Sequence, residues 1–198
     1  MASTLNWKIA RSASFALWFS IVIAALTAYF MSPDTFAPAR VAELLRQFEG
    51  AVLFVYLFLS VIRGLTLLPS SPLVLAGVLL FPHQPWIVLG ISLFGIVASS
   101  SMIFWLSNTL GISGYFERKK PHQVAKIRSR LERPSGLLFV ILWAFFPLVP
   151  TDVVCYVAGS IRMNFVRFIS AVFIGELILI SIYVFGGGHL IKNIPGFH

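Results

Sequence analysis

Pro147-Leu148-Val149-Pro150-Thr151-Asp152 interrupts the apolar run Gly136–Ile161, and Pro69-Ser70-Ser71-Pro72 interrupts a second one, Leu65–Phe81. Proline removes a backbone donor and breaks a helix. In hydrocarbon, irregular backbone survives only where protein or a water-filled cavity satisfies the freed polar groups. Paired breaks in the two halves of a membrane protein point to a substrate site near the bilayer midplane. The chain speaks of transport before it speaks of chemistry.

The residues around the breaks agree. Of 198 residues, 58% are hydrophobic and 11% charged, and the mean hydropathy is +0.90. A soluble domain carries about 25% charged residues, so a single membrane domain is expected. The formal charge of +8 sits in short loops between helices. Attraction to anionic headgroups, about 1 kcal/mol per basic residue near the surface, explains it without a nucleic acid. Cys155 is the lone cysteine, which excludes an internal disulfide or a cysteine zinc site. His83, His122, His189 and His198 are scattered without metal-ligand spacing, so no cofactor or metal is expected. Gly111-Ile112-Ser113-Gly114 spells the string around an intramembrane serine nucleophile. It stands at a polar loop edge, and no histidine lies within an apolar span to serve as its base. No enzyme is expected.

Along the chain, Lys8 and Arg11 precede the apolar stretch Phe15–Phe30. Ala37-Pro38-Ala39 resembles a weak cleavage site but lies well past that stretch, so an uncleaved first helix is expected. Phe36–Phe48 has Val41, Leu44, Leu45 and Phe48 at helical spacing and reads as a surface amphipathic helix. Ala51–Ile62 is apolar up to Arg63 and leads to the first break. Trp86–Ser107 is a spanning helix without a charge. Phe165–Phe185 is a second one, interrupted by Glu176 and followed by Gly186-Gly187-Gly188. Gly95 and Ser99 form a small-xxx-small pair suited to close packing, and Trp7, Trp86 and Trp105 fit interfacial anchors. Residues 1–50 would hold the first helix and the amphipathic one, 51–188 the main membrane domain, and 189–198 a short tail.

Charge sets an orientation. Asn108–Ser135 holds seven of the fifteen basic residues: Arg118, Lys119, Lys120, Lys126, Arg128, Arg130 and Arg133. The positive-inside rule places it in the cytoplasm. If residues 51–81 and 136–161 are re-entrant hairpins from opposite faces, Lys8, Arg11, Arg162 and Arg167 join the loop inside. Only Arg40, Arg46 and Lys192 then fall outside. Reading each broken run as a full span scrambles that tally. The expected fold is all-α and integral to the membrane: three spanning helices plus two opposed re-entrant helical hairpins in an inverted repeat. The N-terminus would be cytoplasmic and the C-terminus outside, in a membrane of bacterial cytoplasmic type.

This arrangement buries three charges, each costing about 2.5–3.5 kcal/mol at a membrane centre unless it faces a cavity or partner. Arg63 and Glu176 lie about 20 and 18 Å along their helices from opposite faces, at 1.5 Å per residue. Both approach the midplane of a core of roughly 30 Å, and the two are expected to pair. Such a pair serves either as a phosphate contact with its counter-charge or as a structural ion pair. Asp152 follows the second break, where a half-helix starting near Val153 would make it the N-cap. Alternatively it carries a proton in a coupled cycle. Ser70, Ser71 and Thr151 add hydroxyls at the tips, and half-helix N-termini favour anionic groups. Hydroxyls beside prolines also satisfy freed backbone.

Arg63-x5-Pro69-Ser70-Ser71-Pro72-Leu73-x2-Ala76-Gly77 and Phe146-Pro147-Leu148-Val149-Pro150-Thr151-Asp152-x3-Tyr156-x-Ala158-Gly159 resemble the DedA superfamily. More specifically they resemble its VTT-domain (SNARE-associated Golgi protein) branch, over roughly Val52 to Gly188. The resemblance implies opposed re-entrant hairpins and lipid translocation, either of phospholipids or of polyprenyl-phosphate carriers, with proton coupling in some members. It implies motif roles for Arg63, Pro69, Pro72, Gly77, Pro147, Pro150, Asp152 and Gly159. Many members carry an arginine where this chain has Ala144, and the DedA branch carries another where it has Pro150. The expected activity is transport or scrambling of a phosphate-bearing lipid, with membrane lipids as partners and oligomeric state left open. The alternatives are a small-solute or ion carrier, or a non-transporting membrane-organising protein.

Overall fold

The computed structural model describes residues 2–109, 121–147 and 149–192, and side chains within 17–107, 121–147 and 149–186. The string Gly111–Gly114, the basic residues Arg118, Lys119 and Lys120, Leu148 and the tail beyond residue 192 lie outside the described residues, as do the side chains of Trp7, Lys8, Arg11 and His189. The described chain is all-helical. In order it forms α1 (Ala2–Met31), α2 (Pro38–Arg46), α3 (Val52–Ile62), α4 (Ser71–Leu80), α5 (Pro85–Thr109), α6 (Pro121–Leu131), α7 (Pro134–Phe145), α8 (Thr151–Ser160) and α9 (Phe165–Lys192).

The two proline clusters do break their runs. The first lies between α3 and α4, where a 3-10 turn at Arg63–Thr66 ends on Leu67 in the left-handed region (φ 57°). The second lies between α7 and α8. In element order, a short amphipathic helix, a broken pair and a long apolar helix occur twice: α2, α3–α4, α5, and then α6, α7–α8, α9. The ends of each broken pair lie side by side. Arg46, at the end of α2, donates to the Leu79 carbonyl near the end of α4 at 3.2 Å. Arg128 of α6 bonds the Ile161 carbonyl after α8, and Glu132 accepts the Asn164 backbone N–H at 2.9 Å.

Among the described residues, three segments are long and apolar enough to cross a membrane: Glu49–Thr66, Pro85–Ser107 and Phe165–Gly186. The last two match the expected spans. The first, Glu49–Thr66, differs from expectation, because the turn at Glu49–Ala51, α3 and the turn at Arg63–Thr66 run on without a gap. In α1, the apolar part with described side chains is the shorter Leu17–Met31. These helices turn much of their apolar surface outward: Phe54 is 77% exposed, Phe94 61% and Trp86 71%. A soluble chain does not leave such contiguous surface in water. This is an integral membrane protein.

Small residues set the packing. Ser60 of α3 and Gly64 of the turn after it interlock with Gly95 and Ser99 of α5: a Cβ on Gly95 would stand 2.4 Å from Ser60 Cβ, and one on Gly64 2.5 Å from Ser99 Cβ. Gly159 of α8 sits against Ser107 and the Phe104 carbonyl of α5. The buried core gathers Ile103 and Phe104 of α5, Val140 of α7, Val154 of α8, and Phe168 and Val172 of α9. Phe104 and Phe168 stack with centroids 5.4 Å apart.

Candidate functional site

The freed backbone of the first break is satisfied almost carbonyl by carbonyl. Thr66 Oγ1 donates to Arg63 O at 2.6 Å, and Trp18 of α1 to Leu65 O at 2.9 Å. Arg63 Nη1 donates to Leu68 O at 2.9 Å. The second break is tied in a similar way. Trp143 Nε1 donates to Pro150 O at 3.4 Å, and Ser71, from the first break, reaches Pro147 O at 3.5 Å. The tips of the two breaks meet, and the buried charges collect there.

Arg63 Nη1 also contacts Asp152 Oδ2 at 3.3 Å, with both side chains largely buried. Thr151 donates to Glu176 Oε1 at 2.5 Å, and Glu176 is fully buried. The expected Arg63–Glu176 pair is therefore replaced by Arg63–Asp152. Depth along two helices brings residues to one level but says nothing of their rotation toward each other. Asp152 also differs from its expected capping role. Pro150 is the N-cap (φ −60°, ψ 120°), Thr151 opens α8, and no side chain caps it. Proline has no N–H to lose at a helix start, so the helix begins two residues earlier and Asp152 is free to face Arg63. Three polar atoms of this cluster are buried without a hydrogen-bond partner among the described residues: Arg63 Nη2, Asp152 Oδ1 and Glu176 Oε2. Buried polar atoms are nearly always bonded, so this cluster concentrates unmet hydrogen-bonding capacity at the junction.

Among the hydroxyls, Ser71 Oγ pairs with Tyr183 of α9 at 3.1 Å, Thr151 is taken up by Glu176, and Ser70 makes no capping bond at the start of α4. The prolines line two cavities. One of about 440 Å³ lies between the breaks, with Pro69, Pro72, Pro147, Pro150, Ser71 and Tyr183 on its wall. Another of about 290 Å³ is bounded by α2, α3 and the start of α4, and Arg63 lies on its wall. Gly77 and Gly159 pack rather than bind: a Cβ on Gly77 would stand 2.3 Å from the Tyr56 hydroxyl, which itself bonds Ser92 at 2.6 Å. Sequence reading missed Tyr183, Tyr56 and Trp18. The signal was there, since a Tyr or Trp buried in an apolar run seeks a partner for its polar atom. It also read Asn108–Ser135 as plain loop and missed α6, where Val124, Arg128 and Leu131 keep helical spacing behind Pro121.

Buried charges at the junction of two broken helices, held between long apolar ones, define a membrane protein built around a buried polar site. The sequence model of the VTT domain matches residues 68–189, well over half of the chain. The protein belongs to the VTT-domain family, that of the DedA and SNARE-associated Golgi proteins. Pro69, Pro72, Asp152 and Glu176 fall within the matched stretch, whereas α1 to α3 and Arg63 precede it. No curated protein and no solved structure matches the chain.

Proposed function

We propose that the protein moves a phosphate-bearing lipid, a phospholipid or a polyprenyl phosphate, between leaflets through the junction of its two breaks. The observation that carries this reading is Arg63, a buried guanidinium tied to Asp152 and standing on the wall of a cavity otherwise lined by uncharged residues. Guanidinium pairs with phosphate by forked hydrogen bonds. The N–H groups of Arg63 Nη2, unpartnered among the described residues, can donate one. While Asp152 is ionised it competes with the phosphate for Arg63. Protonation of Asp152 releases the guanidinium, which would couple a proton to headgroup capture. Glu176, bonded to Thr151, balances the cluster from α9, and Ser70 and Ser71 offer hydroxyls at the tip.

In this reading the broken pairs are re-entrant hairpins from opposite faces, which the closeness of each pair's ends supports. The charge count favours a bacterial cytoplasmic membrane with the N-terminus inside. Neither catalysis nor a cofactor is needed for the step. The test is reconstitution into liposomes with fluorescent phospholipid or fluorescent polyprenyl phosphate and a membrane-impermeant quencher. Quenching beyond the outer leaflet, lost in a folded Asp152→Asn variant, is expected. No transfer of either lipid, with and without a proton gradient, would move the reading to a soluble substrate or an organising role.

A further inference from the structure

The two cavities at the junction differ in chemistry. The one between the breaks carries hydroxyls from Ser71 and Tyr183. The one under α2 is walled by hydrocarbon, and among the described residues lining it Arg63 is the single charge. Both share Tyr29, Pro69 and Pro72 as a partition. The chamber under α2 is built, not a packing gap. Ala42 and Leu45 seat α2, each 2% exposed, with α4 as its main neighbour, and Arg46 pins its end to Leu79 O. Val41, Leu44 and Phe48 then line the space without filling it. Leu44 and Phe48 are 50% and 53% exposed, so the rim reaches the surrounding hydrocarbon.

Charge and wall chemistry choose one occupant. A free inorganic anion would satisfy Arg63 and leave the hydrocarbon walls unused. An alkyl cation would be repelled by Arg63. A peptide would bring backbone N–H and C=O groups that such walls cannot satisfy. The volume, about 290 Å³, is at the lower edge of small-ligand pockets, about 300–1,000 Å³, and is too small for a whole two-chain lipid. We infer that this chamber docks one hydrocarbon chain of a lipid whose phosphate meets Arg63, so that α1 and α2, which precede the matched VTT domain, select the lipid by its chain. This rests on the lipid reading above and adds to it a tail site and the residues that form it.

The test uses the full chain in nanodiscs and a long-chain alkyl phosphate carrying a photoreactive diazirine near its chain end. Labelling is expected on α2, at Val41, Leu44 or Phe48, competed by unlabelled long-chain alkyl phosphate. Inorganic phosphate and a long-chain alkyltrimethylammonium should not compete. Val41→Trp, which fills the chamber, is expected to cut labelling about tenfold, as a change of one decade in affinity would. Leu142→Trp on the outer face of α7 should leave it unchanged, and Val41→Ala shows that the position itself tolerates change. Label spread over the outward faces of α5 and α9, or indifferent to Val41→Trp in a folded variant, overturns the tail site. Lipid movement without labelling on α2 overturns the tail site alone and leaves translocation standing. Labelling on α2 without lipid movement supports the tail site and counts against translocation.

Discussion

Arg63 and Asp152 stand 3.3 Å apart with side chains 9% and 1% exposed, so each is the other's main protection from its surroundings. Breaking a buried pair from one side costs about 3–5 kcal/mol, because the remaining charge is left uncompensated. Arg63→Gln and Asp152→Asn should each lower the melting temperature in detergent. The double variant should recover most of that loss while lipid transfer stays abolished. Recovery of transfer along with stability would make the pair structural. Thr151 gives a milder case: Thr151→Val strands Glu176 Oε1 at about 1–3 kcal/mol, and Thr151→Ser should restore it, both read by thermal unfolding. All three buried charges were visible in the sequence, because a charge inside an apolar run is conspicuous. Their pairing was not, because it depends on rotation about two helix axes and on a helix start shifted by Pro150.

At the scale of the elements, α3, α5 and α8 are joined through small residues where hydrocarbon gives no hydrophobic drive. A Cβ on Gly159 would stand 2.0 Å from Ser107 Oγ and 2.2 Å from the Phe104 carbonyl. Gly159→Ala is therefore expected to cost about 1–3 kcal/mol, the range of core overpacking. Adding Ser107→Gly should return only part of it, since the carbonyl cannot move aside. Gly90, in the same α5, has nothing within 4 Å of its missing Cβ. Gly90→Ala should be neutral or slightly stabilising, and matching losses at both sites in thermal unfolding would refute the packing argument. The breaks themselves were legible, since proline acts locally wherever it stands. The position of α6 on α7 was not, because its apolar spacing is thin among Lys126, Arg128 and Arg130. Its anchors are also backbone groups: the Ile161 carbonyl and the Asn164 N–H.

For the whole molecule, topology turns on what Glu49–Thr66 does in the bilayer. Its 18 residues span about 27 Å at 1.5 Å per residue, close to a hydrocarbon core of roughly 30 Å. As a full span it would put Pro69–Pro72 at the far face, in contact with water. As the first limb of a hairpin it would stop at the tip, where Arg63 meets Asp152, and α4 would return to the side it came from. The Arg46–Leu79 bond at 3.2 Å ties the end of α4 to the end of α2, just before the first limb begins, and Gly50, Val52 and Leu53 share a cavity with Leu80 and Phe81, as a hairpin requires. Cys155 is buried, so single cysteines on a Cys155→Ser background can decide. Gly50→Cys and His83→Cys should react with an impermeant maleimide from one side of sealed vesicles, and Arg133→Cys and Arg167→Cys from the other. Ser70→Cys should be protected from both. Labelling of positions 50 and 83 from opposite sides would make Glu49–Thr66 a full span. The charges would then lie at a membrane face, and a guanidinium in contact with bulk water has no need of Asp152.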